Sequence, residues 1–251
     1  MKLSHSRAVT GFLIAAAAGY ITIELLDWSR LLNFSTTGNM LEYFASRLIK
    51  LLLSLEISLL VWVTGRAALE KKDAVRLSIA FIFVFAADIA FFLQNNSIGT
   101  LLFAVAQIIL IMRNGSGIVR FLSGPQAESN RKKLFLISAS VLAVNGLMVL
   151  LLFVPHSSHP MFPLILGYSL ILACSLAMGI AAPFIHYFPV KNARLIVAGV
   201  SCLYAGDVTV GLNIILPQSS WYIISTSLTW LFYLPAITLF ALSGYRWEEK
   251  G

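Results

Sequence analysis

Long apolar runs separated by short polar segments dominate this chain. A helix that crosses a membrane needs about 20 mostly apolar residues, and eight runs approach or exceed that length. They cover residues 8–26, 43–65, 75–93, 98–112, 134–154, 162–185, 195–216 and 221–244. None alternates apolar and polar residues as the strands of a membrane β-barrel do. The pattern predicts an all-α polytopic bundle of eight transmembrane helices, forming one integral membrane domain over residues 1–251.

The connections between these runs are mostly short, so helices that are neighbours in sequence are expected to be antiparallel. The fourth run is the shortest, and extending it back through Asn95 would leave a tight turn after the third helix. Two connections are longer. Residues 27–42 contain large apolar side chains and are expected to form a loop at the membrane interface, whereas residues 113–133 divide the chain into two sets of four helices.

The composition supports a membrane protein and excludes several other classes. Hydrophobic residues make up 59% of the 251 residues, charged residues only 12%, and the mean hydropathy is +0.85. Soluble domains carry about 25% charged residues, so a soluble enzyme, a disordered chain and a disulfide scaffold are excluded. Cys174 and Cys202 lie in apolar runs outside any CxxC motif, which favours free thiols within the membrane over a disulfide or metal site.

The net charge of +7 is distributed unevenly along the chain. With the N-terminus placed in the cytoplasm, fifteen of the 18 Lys and Arg residues fall on the cytoplasmic side, and only Arg30, Arg47 and Lys50 fall on the other. Cytoplasmic loops of membrane proteins carry this excess of basic residues. The pattern predicts an even number of spans with both termini in the cytoplasm, and no nucleic-acid partner is needed to explain the charge.

Two aspartates lie deep within apolar runs. Asp88 in the third run and Asp207 in the seventh are roughly 9 Å and 14 Å from the non-cytoplasmic ends of their helices, from the helical rise. A charged group facing lipid is strongly unfavourable, so we expect an inward-facing polar cavity with both aspartates as catalytic candidates. Lys50 is expected to neutralise one of them. The candidate substrate-binding residues from the other runs are Lys50, Gln107, Asn145, Tyr168, Asn213 and Tyr233.

The two aspartates also share a local sequence pattern. Ala86-Ala87-Asp88-Ile89 compares with Ala205-Gly206-Asp207-Val208, and each Asp is followed five residues later by Leu and then by Gln or Asn. The two helices have the same predicted direction and are four spans apart, which indicates a parallel four-plus-four repeat with a site between the halves. One protonated and one ionised carboxyl group is the usual equipment of general acid–base chemistry.

Several of these residues resemble the motifs of the YhhN-type lysoplasmalogenase family of eight-helix membrane proteins. That family has Gly-Asp in its third helix, Gly, Phe and Ala-His in its fourth, and Asp eight residues after a Gly in its seventh. Here the family His is replaced by Gln107 and the family Gln by Ala236. The positions that carry the resemblance are Lys50-Leu51, Ala87-Asp88, Gly99, Phe103, Ala106-Gln107, Pro163, Tyr168, Gly199, Gly206-Asp207, Tyr233 and Ala236.

The resemblance implies hydrolysis of the vinyl ether bond of lysoplasmalogens, which gives a fatty aldehyde and a glycerophospho-base. One Asp would protonate the vinyl carbon, and the other would stabilise the resulting cation and activate water. No cofactor or metal is expected. The implied partner is a lysophospholipid or another single-chain amphiphile that enters from the membrane lipid with its head group near the outer face. A bacterial inner membrane is the expected location.

Other functions remain open at the level of sequence. A proton-coupled transporter, or a membrane protein that binds lipid or small molecules without hydrolysing them, would use the same aspartates. A protein with a purely structural polar network is a further alternative. A zinc site is disfavoured because His156 and His159 lie in one loop and His186 on the other side, and a retinal receptor because the last two runs lack Lys. An enzyme predicts one cavity that opens outward or laterally, and a transporter a path to both faces.

Overall fold

The computed structural model describes residues 2–32, 40–216 and 221–247, and in this part of the chain it is helical throughout apart from turns and one isolated bridge, Ala68–Tyr245. Eight of the described helices are long and apolar enough to cross a membrane, which confirms an all-α polytopic bundle. The α-helices are α1 (Lys2–Leu32), α2 (Met40–Gly65), α3 (Lys71–Phe92), α4 (Asn96–Asn114), α5 (Ile118–Ser123), α6 (Ala127–Met148), α7 (Phe162–Ile185), α8 (Val190–Ile215) and α9 (Trp221–Ser243).

Helix α6 does not end its crossing at Met148. It continues through a π-helical turn, Val149–Phe153, and a 3-10 turn, Val154–His156, so the fifth membrane crossing is completed by non-α turns. The short helix α5 is the one α-helix of the described chain that is too short to cross.

The fourth crossing and its preceding turn agree with the prediction. Helix α4 has 19 residues and begins at Asn96. The Asn95 side chain accepts a hydrogen bond from the backbone N–H of Ile98 at 3.1 Å, which caps the helix N-terminus. Gln94 has a left-handed backbone with φ of 62°, and this conformation allows the tight turn between α3 and α4.

The predicted interfacial loop over residues 27–42 starts before helix α1 ends in the structure. Helix α1 extends to Leu32, so Asp27 is helical, and its side chain is buried. Ser46 donates a hydrogen bond to it and Lys50 pairs with it, which compensates the cost of burying a carboxylate. Residues 33–39 of the predicted loop lie outside the described residues.

The helices form two sets of four with equivalent packing. Helices α1 to α4 form one half, and α6 to α9 form the other. In each half the second helix packs on the third and the third on the fourth, and between the halves α2 packs on α9 as α4 packs on α7. The first helix of each half, α1 and α6, belongs to the least buried crossings. This arrangement is what a parallel four-plus-four repeat predicts.

The membrane face at which α1 begins, here called the N-terminal face, is closed by buried polar contacts. The Arg113 guanidinium donates to both carboxylate oxygens of Asp73, at 2.7 and 3.0 Å, and to Ser243 Oγ at 2.9 Å. The Asn192 amide donates to the carbonyls of Ser243 and Tyr245. Toward the membrane centre, the next layer is apolar and is built from Phe81, Leu110, Leu203, Ile237 and Phe240. These contacts tie both halves together on one side of the bundle.

Candidate active site

A cavity of about 580 Å³ lies between the helices on the side away from the N-terminal face. Its lining runs from Gln94 and Asn96 at the α3–α4 turn to Leu172 in α7 and Tyr233 in α9. Among the described residues, no lining residue lies beyond the middle turn of its helix on the way to the N-terminal face. The cavity is therefore one-sided, because the polar closure and the apolar layer occupy the other half of the bundle.

Asp88 and Asp207 both line this cavity. The Oδ2 atom of Asp88 accepts hydrogen bonds from Tyr233, at 2.6 Å, and from Ser54. The Oδ2 atom of Asp207 accepts hydrogen bonds from the Tyr168 hydroxyl and, at 3.4 Å, from the Gln107 amide. Each carboxylate is thus held by one tyrosine and one further donor on a single oxygen.

These contacts follow the two-fold repeat of the helices. Asp88 on α3 takes one donor from α2 of its own half and one from α9 of the other half. Asp207 on α8 takes one donor from α7 of its own half and one from α4 of the other half. Since α2 and α7 are equivalent, as are α4 and α9, the two aspartates take their donors from equivalent helices. The tyrosine comes from the other half for Asp88 and from the same half for Asp207.

The second oxygen of each carboxyl group is available for chemistry. Within the described part of the chain, no side chain donates to Oδ1 of Asp88 or Asp207. Neither Oδ1 atom is buried without a partner, so both are accessible from the cavity. An oxygen without a protein donor on the wall of a cavity can hold or accept a proton from a bound molecule or water. The donors on Oδ2 fix the orientation of that free oxygen.

Lys50 occupies the cavity wall but does not pair with either aspartate. Its ammonium lies 2.6 Å from Asp27 Oδ2, and Ser46 donates to Asp27 Oδ1 at 2.7 Å. The expectation that Lys50 neutralises Asp88 or Asp207 is therefore wrong. The physical reason is the length of α1, which carries the Asp27 carboxylate into the cavity wall beside α2.

The cavity has a polar side and an apolar side. Asp27, Arg47, Lys50 and Thr226 line it on α1, α2 and α9. The opposite wall, on α6, α7 and α8, is mostly apolar, and its residues include Met148, Phe153, Ile165, Leu172, Val210 and Ile214. Asp88, on α3, lies between these two walls, whereas Asp207 and Tyr168 belong to helices of the apolar wall and Tyr233 to a helix of the polar wall. The cavity can accommodate a molecule with one polar and one hydrocarbon end.

Most of the predicted site residues are brought together. Lys50, Tyr168, Asn213 and Tyr233 line the cavity with the two aspartates. Asn213 contacts the hydroxyls of Ser225 and Thr229. Gln107 is buried and contacts Asp207 without being part of the cavity wall.

Asn145 lies outside the cavity. It is buried on α6, where its side-chain oxygen accepts a hydrogen bond from the Tyr204 hydroxyl at 3.1 Å. It links α6 to α8, which is a packing contact. Depth along the helix placed Asn145 in the right layer of the membrane, but depth does not determine which neighbour a side chain faces.

The sequence reasoning missed Ser54 and Asp27. Ser54 is a small uncharged residue, and its one signal is its position one helical turn after Lys50 on the same face of α2. Asp27 falls in the predicted interfacial loop, between two apolar runs. The alternation of basic and acidic residues between the end of α1 and the start of α2 could have suggested the Asp27–Lys50 pair.

In the part of the chain that the structure describes, no three His, Cys, Asp or Glu side chains are grouped so as to hold a metal ion. His159 instead uses its ring nitrogen Nδ1 to accept the Met161 backbone N–H at 3.2 Å. Comparison of the chain with protein-family models, with curated proteins and with solved structures finds no match.

Proposed function

We propose that this protein is a membrane hydrolase that cleaves the vinyl ether bond of lysoplasmalogens by acid–base catalysis with Asp88 and Asp207. The observation that carries the proposal is that both carboxylates line one cavity that extends to one side of the bundle only. The division of the wall into a charged and an apolar side supports a single-chain amphiphile as the substrate. The resemblance to YhhN-type lysoplasmalogenases supports the vinyl ether as the reacting bond.

The chemistry uses the two aspartates in turn. A carboxylic acid transfers its proton to the vinyl carbon that is farther from the ether oxygen, and an oxocarbenium ion forms at the other vinyl carbon. Water adds to that carbon and gives its proton to a carboxylate. The resulting hemiacetal breaks its bond to the glycerol oxygen, which takes up a proton and leaves as the alcohol. The second product is the aldehyde, and no proton is consumed overall.

The cavity walls suggest which aspartate is the acid. Asp207 shares α8 with Val210, Gly211 and Ile214 of the lining, on the apolar side. The carbon to be protonated belongs to the hydrocarbon chain, so Asp207 is assigned as the acid. Asp88 accepts its donors from α2 and α9, which carry the polar wall, and it is assigned to stabilise the cation and activate water.

The test is incubation of the purified protein with a lysoplasmenyl lipid and, separately, with its saturated ether analogue, with aldehyde as the readout. We expect aldehyde from the vinyl ether alone, and a loss of about 100- to 10,000-fold in rate for Asp88→Asn and Asp207→Asn, the range for removal of a general acid or base. Full activity in both variants would refute the acid–base roles. Absence of aldehyde under every condition would refute the hydrolase.

A transporter or a binding protein without hydrolytic activity is the alternative. A transporter would require access from the N-terminal face, where the Arg113–Asp73 pair and its partners lie buried. We favour the hydrolase over the transporter because the cavity extends to one side, and aldehyde release distinguishes the hydrolase from a binding protein. Uptake of an amphiphile into proteoliposomes without aldehyde release would favour the transporter.

The distribution of Lys and Arg supports a cytoplasmic N-terminal face. In that orientation the cavity faces the non-cytoplasmic side, and a lysolipid of the outer leaflet would present its head group to the polar wall. A bacterial inner membrane is the proposed location.

A further inference from the structure

The apolar side of the cavity contains an irregular helical turn. Between Val149 and Phe153 the crossing that begins with α6 is π-helical, and such single turns often occur at functional sites. Met148, at the start of the turn, and Phe153, at its end, both line the cavity. The three leucines between them, Leu150, Leu151 and Leu152, are exposed on the lipid side. The turn therefore separates the membrane from the cavity.

The buried side chains of this crossing follow one another at intervals of four residues. Val141, Asn145, Val149 and Phe153 are each at most 9% exposed, whereas Leu152 is 37% exposed. Four residues are about 40° more than a full turn of a regular α-helix. The π turn has more residues per turn and therefore keeps the Phe153 ring on the same side of the helix as Val149.

The Phe153 ring packs against a glycine of α8. A Cβ atom at Gly211 would lie 2.9 Å from the ring atoms, so no larger residue fits there without moving the ring. Gly211 is one turn beyond Asp207, about 6 Å farther along α8. Together with Ile165 and Ile214, the ring belongs to an apolar cluster that is separate from the main core.

We propose that Phe153 forms the end wall of a subsite for the hydrocarbon chain of a single-chain amphiphile, and that this wall sets how much of the chain is bound. The subsite deepens the proposed function and rests on it for the identity of the ligand. The chain begins at the carboxylates and runs along α8 past Val210 to the ring, which lies beside Gly211 and belongs to one cluster with Ile214. Chain atoms beyond the ring gain no further contact with the protein.

The test is binding of saturated 1-O-alkyl lysophospholipids, from butyl to octadecyl, measured by displacement of a fluorescent lysolipid at one detergent concentration. Each buried methylene contributes at most about fourfold in Kd, the value for transfer from water, because the unbound chain lies in a detergent micelle. Affinity therefore rises with chain length and then levels off where the chain meets Phe153. In Phe153→Ala the plateau is expected at longer chains. In Gly211→Ala, whose Cβ displaces the ring toward the cavity, it is expected at shorter chains.

Leu151→Ala is the matched control, because Leu151 belongs to the same turn and is 62% exposed. Its plateau is expected at the wild-type chain length. An unmoved plateau in both Phe153→Ala and Gly211→Ala would overturn the proposal, and so would an equal shift in Leu151→Ala. Phe153→Leu, which keeps an apolar side chain, gives the same comparison should the alanine variant unfold, with a smaller shift to longer chains expected.

The saturated ethers bind without reacting, so this experiment tests the hydrocarbon subsite independently of the proposed hydrolase activity. A plateau that moves with Phe153, in a protein that releases no aldehyde from vinyl ethers, supports the subsite and refutes the hydrolase. Aldehyde release together with an unmoved plateau supports the hydrolase and refutes the subsite.

Discussion

The two tyrosines that hold the carboxylates offer a conservative perturbation of the site. Tyr168→Phe and Tyr233→Phe each remove one hydroxyl donor from Oδ2 of an aspartate and keep the aromatic ring in place. A hydrogen bond to a charged group contributes about 1.5–3 kcal/mol. Each substitution is therefore expected to lower kcat/KM for a lysoplasmenyl lipid by roughly 10- to 150-fold.

The physical reason is the charge on the carboxylate in the transition state. Asp207 becomes negative as it gives up its proton, and loses stabilisation without Tyr168. Asp88 stabilises the oxocarbenium ion as a carboxylate, and loses stabilisation without Tyr233. Ser54→Ala removes the other donor on the same Asp88 oxygen, so its effect is expected to be non-additive with that of Tyr233→Phe.

Tyr204→Phe is the control for this experiment. It removes a tyrosine hydroxyl bond on α8, the helix of Asp207, but the partner is Asn145 outside the cavity. Its kcat/KM for aldehyde release is expected to equal that of the wild type. An equal loss in Tyr204→Phe, or no loss in Tyr168→Phe and Tyr233→Phe, would contradict the roles of these two hydroxyl groups.

Three further outcomes are expected. Arg113→Met leaves the Asp73 carboxylate buried and unpaired, so stability is expected to fall by about 3–5 kcal/mol, measured as a lower thermal midpoint in detergent; an unchanged midpoint contradicts the role of this pair. Asn114 is fully buried with neither amide atom bonded, so Asn114→Leu is expected to raise the midpoint, and a lower one would indicate a missing water or partner. In a cysteine-free background, Asn96→Cys is expected to react with a membrane-impermeant thiol reagent from outside the cell and Lys132→Cys only after lysis; the reverse pattern would invert the proposed orientation.

The apolar periodicity predicted the helix count and most helix limits because hydrocarbon requires each backbone polar group to be satisfied within a helix. It failed at the end of α1, where Asp27 was read as a loop residue. A carboxylate inside a spanning helix is unfavourable unless it is paired, and the pairing residue, Lys50, is on another helix. Long-range pairing of this kind is not visible in a local pattern.

The sequence predicted part of the candidate site. Depth along the helices and the repeated Asp pattern placed Asp88 and Asp207 together, because two equivalent positions in a parallel repeat lie at the same level of the membrane. The same reasoning included Asn145, which faces Tyr204 instead. Rotation of a helix about its axis depends on its packing, and α6 is packed mainly on α7. The π turn that places Phe153 in the wall has no signature in the apolar pattern.

Solvent deuterium tests whether Asp207 protonates the vinyl carbon while Asp88 assists. The purified protein is incubated with a lysoplasmenyl lipid in deuterated water, and the aldehyde is analysed by mass spectrometry against authentic aldehyde treated in the same way. We expect one deuterium on the carbon next to the carbonyl, with formation of this product abolished or strongly reduced in Asp207→Asn and in Asp88→Asn. Aldehyde without solvent deuterium, or undiminished labelled aldehyde from either variant, would contradict these roles of the two aspartates.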